Sequence, residues 1–272
     1  LAPLALAAVV MGTAGCELVV GVSDGALLVL GSATADDIVL RLHSGDTTKL
    51  DVDFDNDGTP EHVVDRATFT SIVVAAGEGD DSVLLDTSNG SFSAATPVTL
   101  AGDGGNDTLT GEGGAEVLEG GAGNDTLIGR TNTDTLRGGA DVDVIVWNAG
   151  DSSDVVDGGD GADRLQFTTS NASDVITMSV DGARARLFRN VGNVTMDIGT
   201  IERIDLALLG GSDVVGVNNL VGTGVTTVAV DLAATGGGDD FLVDDVVVPS
   251  EAVISKDATA GVATMGALTV RA

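Results

Sequence analysis

A nine-residue period runs through the middle of this chain and restricts it to a narrow class of folds. Five units follow one another without a gap over residues 102–146, and two more follow after a slip of two residues. The sixth position is acidic in each unit, and the eighth is aliphatic. The acidic residues are Asp107, Glu116, Asp125, Asp134, Asp143, Asp154 and Asp163. A short fixed period with one acidic and one apolar column is typical of a solenoid.

The period also predicts how the units stack. Six glycine-rich residues predict a turn and the last three a short strand, so two units would complete one coil of a parallel β-roll. Residues 18 apart then stack, with Asp107, Asp125 and Asp143 in one column and Glu116 above Asp134 in the other. Strands stack about 4.8 Å apart, where two like charges repel by about 3–4 kcal/mol at an effective dielectric of about 20. Such coils need a hard dication with oxygen ligands to close them.

These units resemble the hemolysin-type calcium-binding repeats of the RTX family, most strictly in GGAGNDTLI at residues 120–128. The resemblance covers residues 102–166 and implies a parallel β-roll that binds Ca²⁺. In that family the first, second and fourth positions supply backbone oxygens and the sixth supplies a carboxylate. Carried over, this nominates Gly102, Asp103, Gly105 and Asp107; Gly120, Gly121, Gly123 and Asp125; Gly138, Gly139, Asp141 and Asp143; and Gly158, Gly159, Gly161 and Asp163.

The other side of the roll departs from the family pattern. Asp134 and Asp154 are candidate ligands there, but Glu116 replaces an aspartate. Arg130 and Ser152 stand where glycines are expected. The resemblance therefore supports this second set of sites less strongly than the first.

Composition agrees with an acidic, folded, aromatic-poor solenoid. The net charge is −30, yet 43% of residues are hydrophobic, which excludes the disorder expected of a charged and apolar-poor chain. Aromatic residues make up 3% and tyrosine is absent, so the core must be thin layers of aliphatic side chains. Nucleic acid is not an expected partner, because phosphate binding needs a basic face.

The first residues resemble an export signal that lacks its own beginning. Residues 1–11 are apolar but too short to span a bilayer. The segment Thr13-Ala14-Gly15-Cys16 resembles the lipobox of bacterial lipoproteins, with Cys16 as the residue that would be acylated. A cleaved secretory signal and an ordinary first strand are the alternatives. Either signal predicts an extracellular or cell-surface protein, including an outer-membrane lipoprotein, where calcium is abundant.

Two short motifs before the repeats suggest catalysis or metal binding on weaker grounds. Residues 21–25 match G-x-S-x-G, but Asp24-Gly25 between apolar runs favours a hairpin turn over a nucleophile elbow. The loop with Asp53, Asp55 and Asp57 has the D-x-D-x-D-G spacing of an EF-hand, although its twelfth position is Val64 instead of glutamate. We expect a hairpin tip there, on which a calcium ion could also sit. His43 and His62 lie outside any zinc motif and are expected on exposed strands or loops.

Both flanks of the repeats contain aspartate-capped strands, so we expect one continuous all-β solenoid. The expected divisions are a signal-like segment at 1–16, an N-terminal flank at 17–98, the β-roll at 99–167 and a C-terminal flank at 168–272. The chain ends inside an alternating run at residues 267–270 and is expected to continue. Trp147, in the two-residue slip, is expected to plug the coil where the register changes.

The sequence thus predicts a calcium-binding structural β-roll without catalytic activity, whose folding is driven by the ion. A calcium-dependent adhesin or interaction module, with a glycan or protein partner, or an accessory region of a larger secreted enzyme, is the first alternative. A polysaccharide-active β-helix enzyme with paired acids is the second.

Overall fold

The computed structural model describes residues 18–232, 240–243 and 251–255, which form an all-β solenoid. Its strands in chain order are β1 (Val19–Ser23), β2 (Ala26–Leu30), β3 (Asp37–Leu42), β4 (Lys49–Asp53), β5 (His62–Asp65), β6 (Ser71–Glu78), β7 (Ser82–Asp86), β8 (Val98–Gly104), β9 (Thr108–Thr110), β10 (Val117–Ala122), β11 (Thr126–Ile128), β12 (Thr135–Ala140), β13 (Val144–Asn148), β14 (Val155–Asp160), β15 (Arg164–Thr168), β16 (Val175–Asp181), β17 (Arg184–Arg189), β18 (Val194–Gly199), β19 (Arg203–Leu208), β20 (Val214–Val217), β21 (Thr227–Leu232), β22 (Asp240–Val243) and β23 (Glu251–Ser255). Short 3-10 turns span Arg66–Thr68, Ser93–Ala95 and Val191–Asn193.

The strands alternate between two sheets through the repeats. The first sheet has the order β1-β2-β6-β8-β10-β12-β14-β18-β17-β16-β20-β22, and the second has the order β23-β21-β19-β15-β13-β11-β9-β7-β3-β4-β5. Parallel pairs join Val117 to Thr135 in the first sheet and Thr126 to Val144 in the second, each 18 residues apart. At the slip the spacing becomes 20, as Thr135 pairs with Val155. The nine-residue period therefore does form half-coils of a parallel β-roll, as the sequence predicts.

The core is a thin aliphatic layer between the two sheets. The eighth-position residues alternate between the sheets along the chain and point inward. Those from Leu109 to Leu165 are at most 1% exposed, as is Leu100 on β8. Each strand in this region is only three to seven residues long. Because side chains alternate between the two faces of a strand, a short strand often contributes a single residue to the core layer.

The N-terminal flank begins with the expected hairpin. β1 and β2 pair antiparallel, with Ser23 opposite Ala26, and Asp24 and Gly25 form the two-residue turn at φ values of 50° and 80°. The G-x-S-x-G match is therefore a strand and its turn.

The expectation for the histidines holds fully for one residue and in part for the other. His62 is exposed on β5, as expected. His43, however, is half-buried, and its Nδ1 lies 2.6 Å from Asp51 Oδ1. The buried carboxylate of Asp51 holds the ring against the sheet, which the sequence pattern around His43 does not reveal.

Antiparallel excursions interrupt the parallel stack on both flanks. β3, β4 and β5 form a meander that ends the second sheet. β16, β17 and β18 form another meander, which inserts into the first sheet between β14 and β20.

The slip is filled by an aromatic pair. Trp147 is 1% exposed, and its ring stacks on Phe167 with centroids 3.9 Å apart and planes 4° apart. Its Nε1 donates to the Ser152 carbonyl oxygen at 2.8 Å, and the Arg189 guanidinium lies 5.5 Å from the ring centroid. Trp147 thus plugs the coil where the register changes, as expected.

Within the described residues, no helix is long and apolar enough to cross a membrane. Cys16 and residues 267–270 lie outside the described residues.

Candidate metal centre

The predicted aspartates form two columns of stacked turns. We call Asp107, Asp125, Asp143 and Asp163 the first column, and Glu116, Asp134 and Asp154 the second column. In the first column each carboxylate accepts the backbone N–H of the acid one coil earlier: Asp107 donates to Asp125 Oδ1, Asp125 to Asp143 Oδ1 and Asp143 to Asp163 Oδ1, at 2.8–2.9 Å. These bonds fix the orientation of each side chain.

The other carboxylate oxygen of each first-column aspartate is left over. All four side chains are at most 1% exposed, and within the described chain their Oδ2 atoms find no hydrogen-bond partner. Buried polar atoms are nearly always paired, and an unpaired charged oxygen is costly. Four such oxygens in successive coils point to a ligand that supplies positive charge.

Each leftover oxygen converges with a backbone carbonyl beside a first-position glycine. The parallel ladder of the first sheet skips these glycines: Glu119 pairs with Arg137 and Gly121 with Gly139, but Gly120 and Gly138 are not paired. A Cβ built on Gly120 would meet Asp125 Oδ2 and would lie 2.6 Å from the Gly138 carbonyl oxygen. We call this oxygen-lined space the cradle.

The cradle recurs along the column. At Gly102 it is lined by Asp107 Oδ2 and the Gly120 carbonyl oxygen, and at Gly138 by Asp143 Oδ2 and the Gly158 carbonyl oxygen. Carboxylate and carbonyl oxygens are the ligands that Ca²⁺ takes, typically at 2.3–2.6 Å. The residues present therefore fit the ion that the repeats imply.

Most second and fourth positions in the units of the first column have the left-handed backbone that the repeat requires, and Gly161 is the exception. Asp103 (φ 69°) and Asp141 (φ 78°) adopt it as well as Gly121 and Gly123 (φ 118° and 119°). The carbonyl oxygens of Asp103 and Gly105 lie against the same positions of the next coil, at Gly121 and Gly123. The remaining nominated glycines, Gly139, Gly159 and Gly161, lie in the equivalent turns of later coils. The structure brings first-position carbonyls to the carboxylates, and the ligand role of the other two positions stays a prediction.

The second column is less regular. Glu116 donates its N–H to Asp134 Oδ1, and Asp134 donates to Asp154 Oδ1. Asp134 Oδ2 is buried and, among the described residues, unpartnered. Glu116 differs because its longer side chain folds back and accepts the N–H groups of Glu112 and Gly114 at 3.2 and 2.9 Å. Its carboxylate is therefore already satisfied by the backbone.

Burial changes the protonation of both columns. Desolvation raises the pKa of Asp125 to about 7, of Asp143 to about 6 and of Asp134 to about 9. The backbone N–H bonds oppose these shifts, and the like charges of neighbouring acids add to them. In the absence of a cation, Asp134 is thus protonated at neutral pH, Asp125 is about half protonated, and Asp143 is mostly ionised.

The hydrogen bonds that link the acids of the first column continue beyond the repeats in both directions. The sequence pattern did not lead us to expect this. Asp36 donates its N–H to Asp81 Oδ1, Asp81 donates to Asp107 Oδ1, and Asp163 donates to Glu202 Oε2, at 2.7–2.8 Å. The available signal was the Gly77-x-Gly79-x-Asp81 spacing, which copies the second, fourth and sixth positions of a unit.

The acidic loop between β4 and β5 is a hairpin tip, as expected. Asp53 is fully buried and pairs with Arg41 at 2.7 Å, whereas Asp55 and Asp57 are exposed. Burial raises the pKa of Asp53, but hydrogen bonds from Arg41 and Gly58 outweigh that effect and leave the pKa below its usual value. Unlike the columns, this carboxylate is ionised at neutral pH.

Comparison with known protein families agrees with the geometry. The model of the RTX calcium-binding nonapeptide repeat matches residues 99–127, 110–145 and 128–165. This part of the chain is therefore an RTX calcium-binding β-roll, and Ca²⁺ is the ion that such repeats bind. No curated protein and no solved structure matches the chain at a significant level.

Proposed function

We propose that the first column holds calcium ions between coils and that this binding closes the solenoid into a structural rod. The observation that carries the proposal is the cradle, in which a buried, unpaired Asp Oδ2 meets a carbonyl oxygen in successive coils. A bound dication supplies the positive charge that neutralises the column.

The two oxygens of each carboxylate have separate tasks in this proposal. Oδ1 accepts an N–H from the preceding coil, which orients the group and sets its height in the stack. Oδ2 is thereby directed into the cradle, where it and the first-position carbonyl would be ligands. Without a cation, the acids either repel one another or must be protonated, so the same residues oppose closure.

The role we propose is structural. Every first-column carboxylate is sealed between coils, so none can reach a polysaccharide chain as a general acid or base. The alternative of a β-helix enzyme that uses these acids is therefore not favoured by their burial.

We further propose that the rod works outside the cell or at its surface. Extracellular modules bind calcium with dissociation constants of about 10⁻⁴–10⁻³ M, which only external calcium levels fill. The net charge of −30 also suits a chain whose compact state depends on bound cations. A lipid anchor at Cys16 remains part of this proposal.

Asp125→Asn tests the proposal, because it should change calcium-free and calcium-loaded stability in opposite directions. The amide keeps an oxygen for the Asp107 N–H and can donate its NH₂ to the Gly138 carbonyl, so the calcium-free protein should melt at a higher temperature. A charged ligand is lost, so calcium affinity should fall by about tenfold or more, which corresponds to about 1.4 kcal/mol.

Thermal melts and calorimetric calcium titrations of the full chain would measure both effects. Asp181→Asn is the control, since Asp181 is exposed on β16 and outside both columns. A change of the same sign in both states, or equal effects of the two substitutions on calcium affinity, would contradict the proposal.

A further inference from the structure

The loop between β4 and β5 carries a second arrangement of acids that the repeats do not explain. Counted as an EF-hand loop, Asp53 is first, Asp55 is third and Gly58 is sixth. The twelfth position, which supplies a bidentate glutamate in an EF-hand, is Val64 on strand β5. A glutamate, Glu61, occurs instead at the ninth position.

The fold brings Glu61 back to the start of the loop. One carboxylate oxygen from each of Asp53, Asp55 and Glu61 lies within 4.8 Å of the others. Glu61 Oε2 accepts the Phe54 N–H at 2.8 Å, which fixes the side chain beside the first two acids. The antiparallel pairing of β4 and β5, with Val52 opposite His62, provides this return.

Asp53 contributes an oxygen that is buried and unsatisfied. Its side chain is 0% exposed, and its Oδ2 accepts from Arg41 at 2.7 Å and from the Gly58 N–H at 3.1 Å. Its Oδ1 is buried, and no donor in the described chain meets hydrogen-bond geometry with it, although the Asp55 N–H is near enough to the carboxylate to help lower its pKa. Oδ1 is thus the oxygen of Asp53 left for a ligand, independently of the acidic cluster around it.

Charge and ligand chemistry indicate which ion fits. Of the three carboxylates, only that of Asp53 pairs with a cation of the described chain, Arg41, so the cluster keeps a net charge of about −2. All three candidate groups are hard oxygen ligands, which suit Ca²⁺ and not the nitrogen and sulfur ligands that Zn²⁺ prefers. The ligands come from an irregular loop, and the flexible geometry of Ca²⁺ tolerates this better than the strict octahedron of Mg²⁺.

We propose that Asp53, Asp55 and Glu61 form a calcium site separate from the RTX repeats, in which Glu61 replaces the glutamate missing from the twelfth position. The site would tie the β4–β5 loop together at the end of the second sheet. Asp57 is not part of this site, because its carboxylate lies outside the group of three converging oxygens.

Hydrogen–deuterium exchange of the full chain, with and without calcium, gives a local readout for this loop. In the wild type, calcium should slow exchange in residues 53–61 as well as in the repeats. Glu61→Gln and Asp55→Asn should each abolish the protection of residues 53–61 and leave that of the repeats in place. Asp57→Asn, the matched control, should keep both.

Two results would overturn the site. One is exchange in residues 53–61 that calcium does not change in the wild type while the repeats become protected. The other is protection of the loop that survives in both Glu61→Gln and Asp55→Asn. Failure of the column proposal would look different, because the repeats would then show no protection.

Discussion

The presence or absence of one methyl group at the first position of a unit distinguishes two kinds of coil. The first-position residues in the column are glycines, and a Cβ on Gly120 would enter the cradle beside Asp125. In the preceding flank, Ala76 holds the equivalent place, since the ladder between β6 and β8 skips Ala76 and Gly102 in the same way. Ala76 is fully buried, so the fold accommodates this methyl group. Among the described residues, Asp81 Oδ2 is buried and unpartnered like the oxygens of the first column, but the Ala76 methyl group stands at the position of the cradle glycine. We therefore expect Asp81 to continue the hydrogen-bonded series of the first column without binding an ion.

Gly120→Ala should convert a binding coil into a coil of the Ala76 kind. The φ angle of Gly120 is not in the left-handed region, so the local backbone conformation allows alanine. Its Cβ would lie 2.6 Å from the Gly138 carbonyl oxygen, so the neighbouring turn must shift to accommodate it. The protein should fold but bind about one calcium ion fewer, because the methyl group occupies the cradle. Equilibrium dialysis with radioactive calcium would count the ions.

The control for this substitution is Gly21→Ala. A Cβ at Gly21, on β1, meets no atom of the described chain within 4 Å. If both variants bind as many ions as the wild type, the cradle is not the binding position.

At the scale of the elements, the columns predict an unusual pH dependence for the calcium-free protein. Burial raises the pKa values of Asp125, Asp143 and Asp134 to about 7, 6 and 9, above the ordinary aspartate value of 3.8. Between the pKa of the unfolded aspartates, about 4, and the highest raised pKa, about 9, the folded state binds more protons than the unfolded state. The free energy of unfolding therefore falls as pH rises from about 4 to about 9. With calcium bound the trend should reverse, because protons then compete with the ion.

Urea unfolding at about pH 5.5 and at about pH 8 would check this trend. The protein should be freed of calcium on a chelating resin and measured again with excess calcium. Calcium-free protein that is more stable at the higher pH would contradict the raised pKa values of the columns.

The sequence predicted those elements whose pairing repeats locally. The 18-residue stacking of Asp107 on Asp125 follows from the period, and the β1–β2 turn follows from Asp24-Gly25. Non-local pairing could not be predicted: β14 pairs with β18, joining Val155 to Asp197, because a meander fills the intervening chain.

Side-chain length decided the remaining differences in the site. Glu116 occupies a column position in sequence, but its extra methylene lets the carboxylate fold back onto Gly114 N–H. The β4–β5 loop differs for another reason, because the antiparallel pairing of β4 and β5 brings Glu61 back to Asp53. Spacing rules describe which positions stack, and they do not describe where a longer acid can fold.

On the scale of the whole molecule, the roll joins a thin aliphatic core to columns of buried acid. The buried aliphatic core favours closure of the coils at any calcium level. The acidic turns oppose closure until cations are bound, because their negative charges repel in a chain of net charge −30. Trp147 stacks on Phe167 inside this core, at the two-residue slip between repeat units. Opening of the coils would therefore also expose the chain's one tryptophan to water.

The most direct test of calcium-driven closure is to follow the far-UV circular dichroism and the hydrodynamic radius of the full chain at neutral pH while calcium is removed with EGTA and then restored. If calcium drives closure, EGTA should lower the β signal and expand the particle, and excess calcium, but not an equal concentration of magnesium, should reverse both changes. A spectrum and radius that stay the same in EGTA would contradict calcium-driven closure.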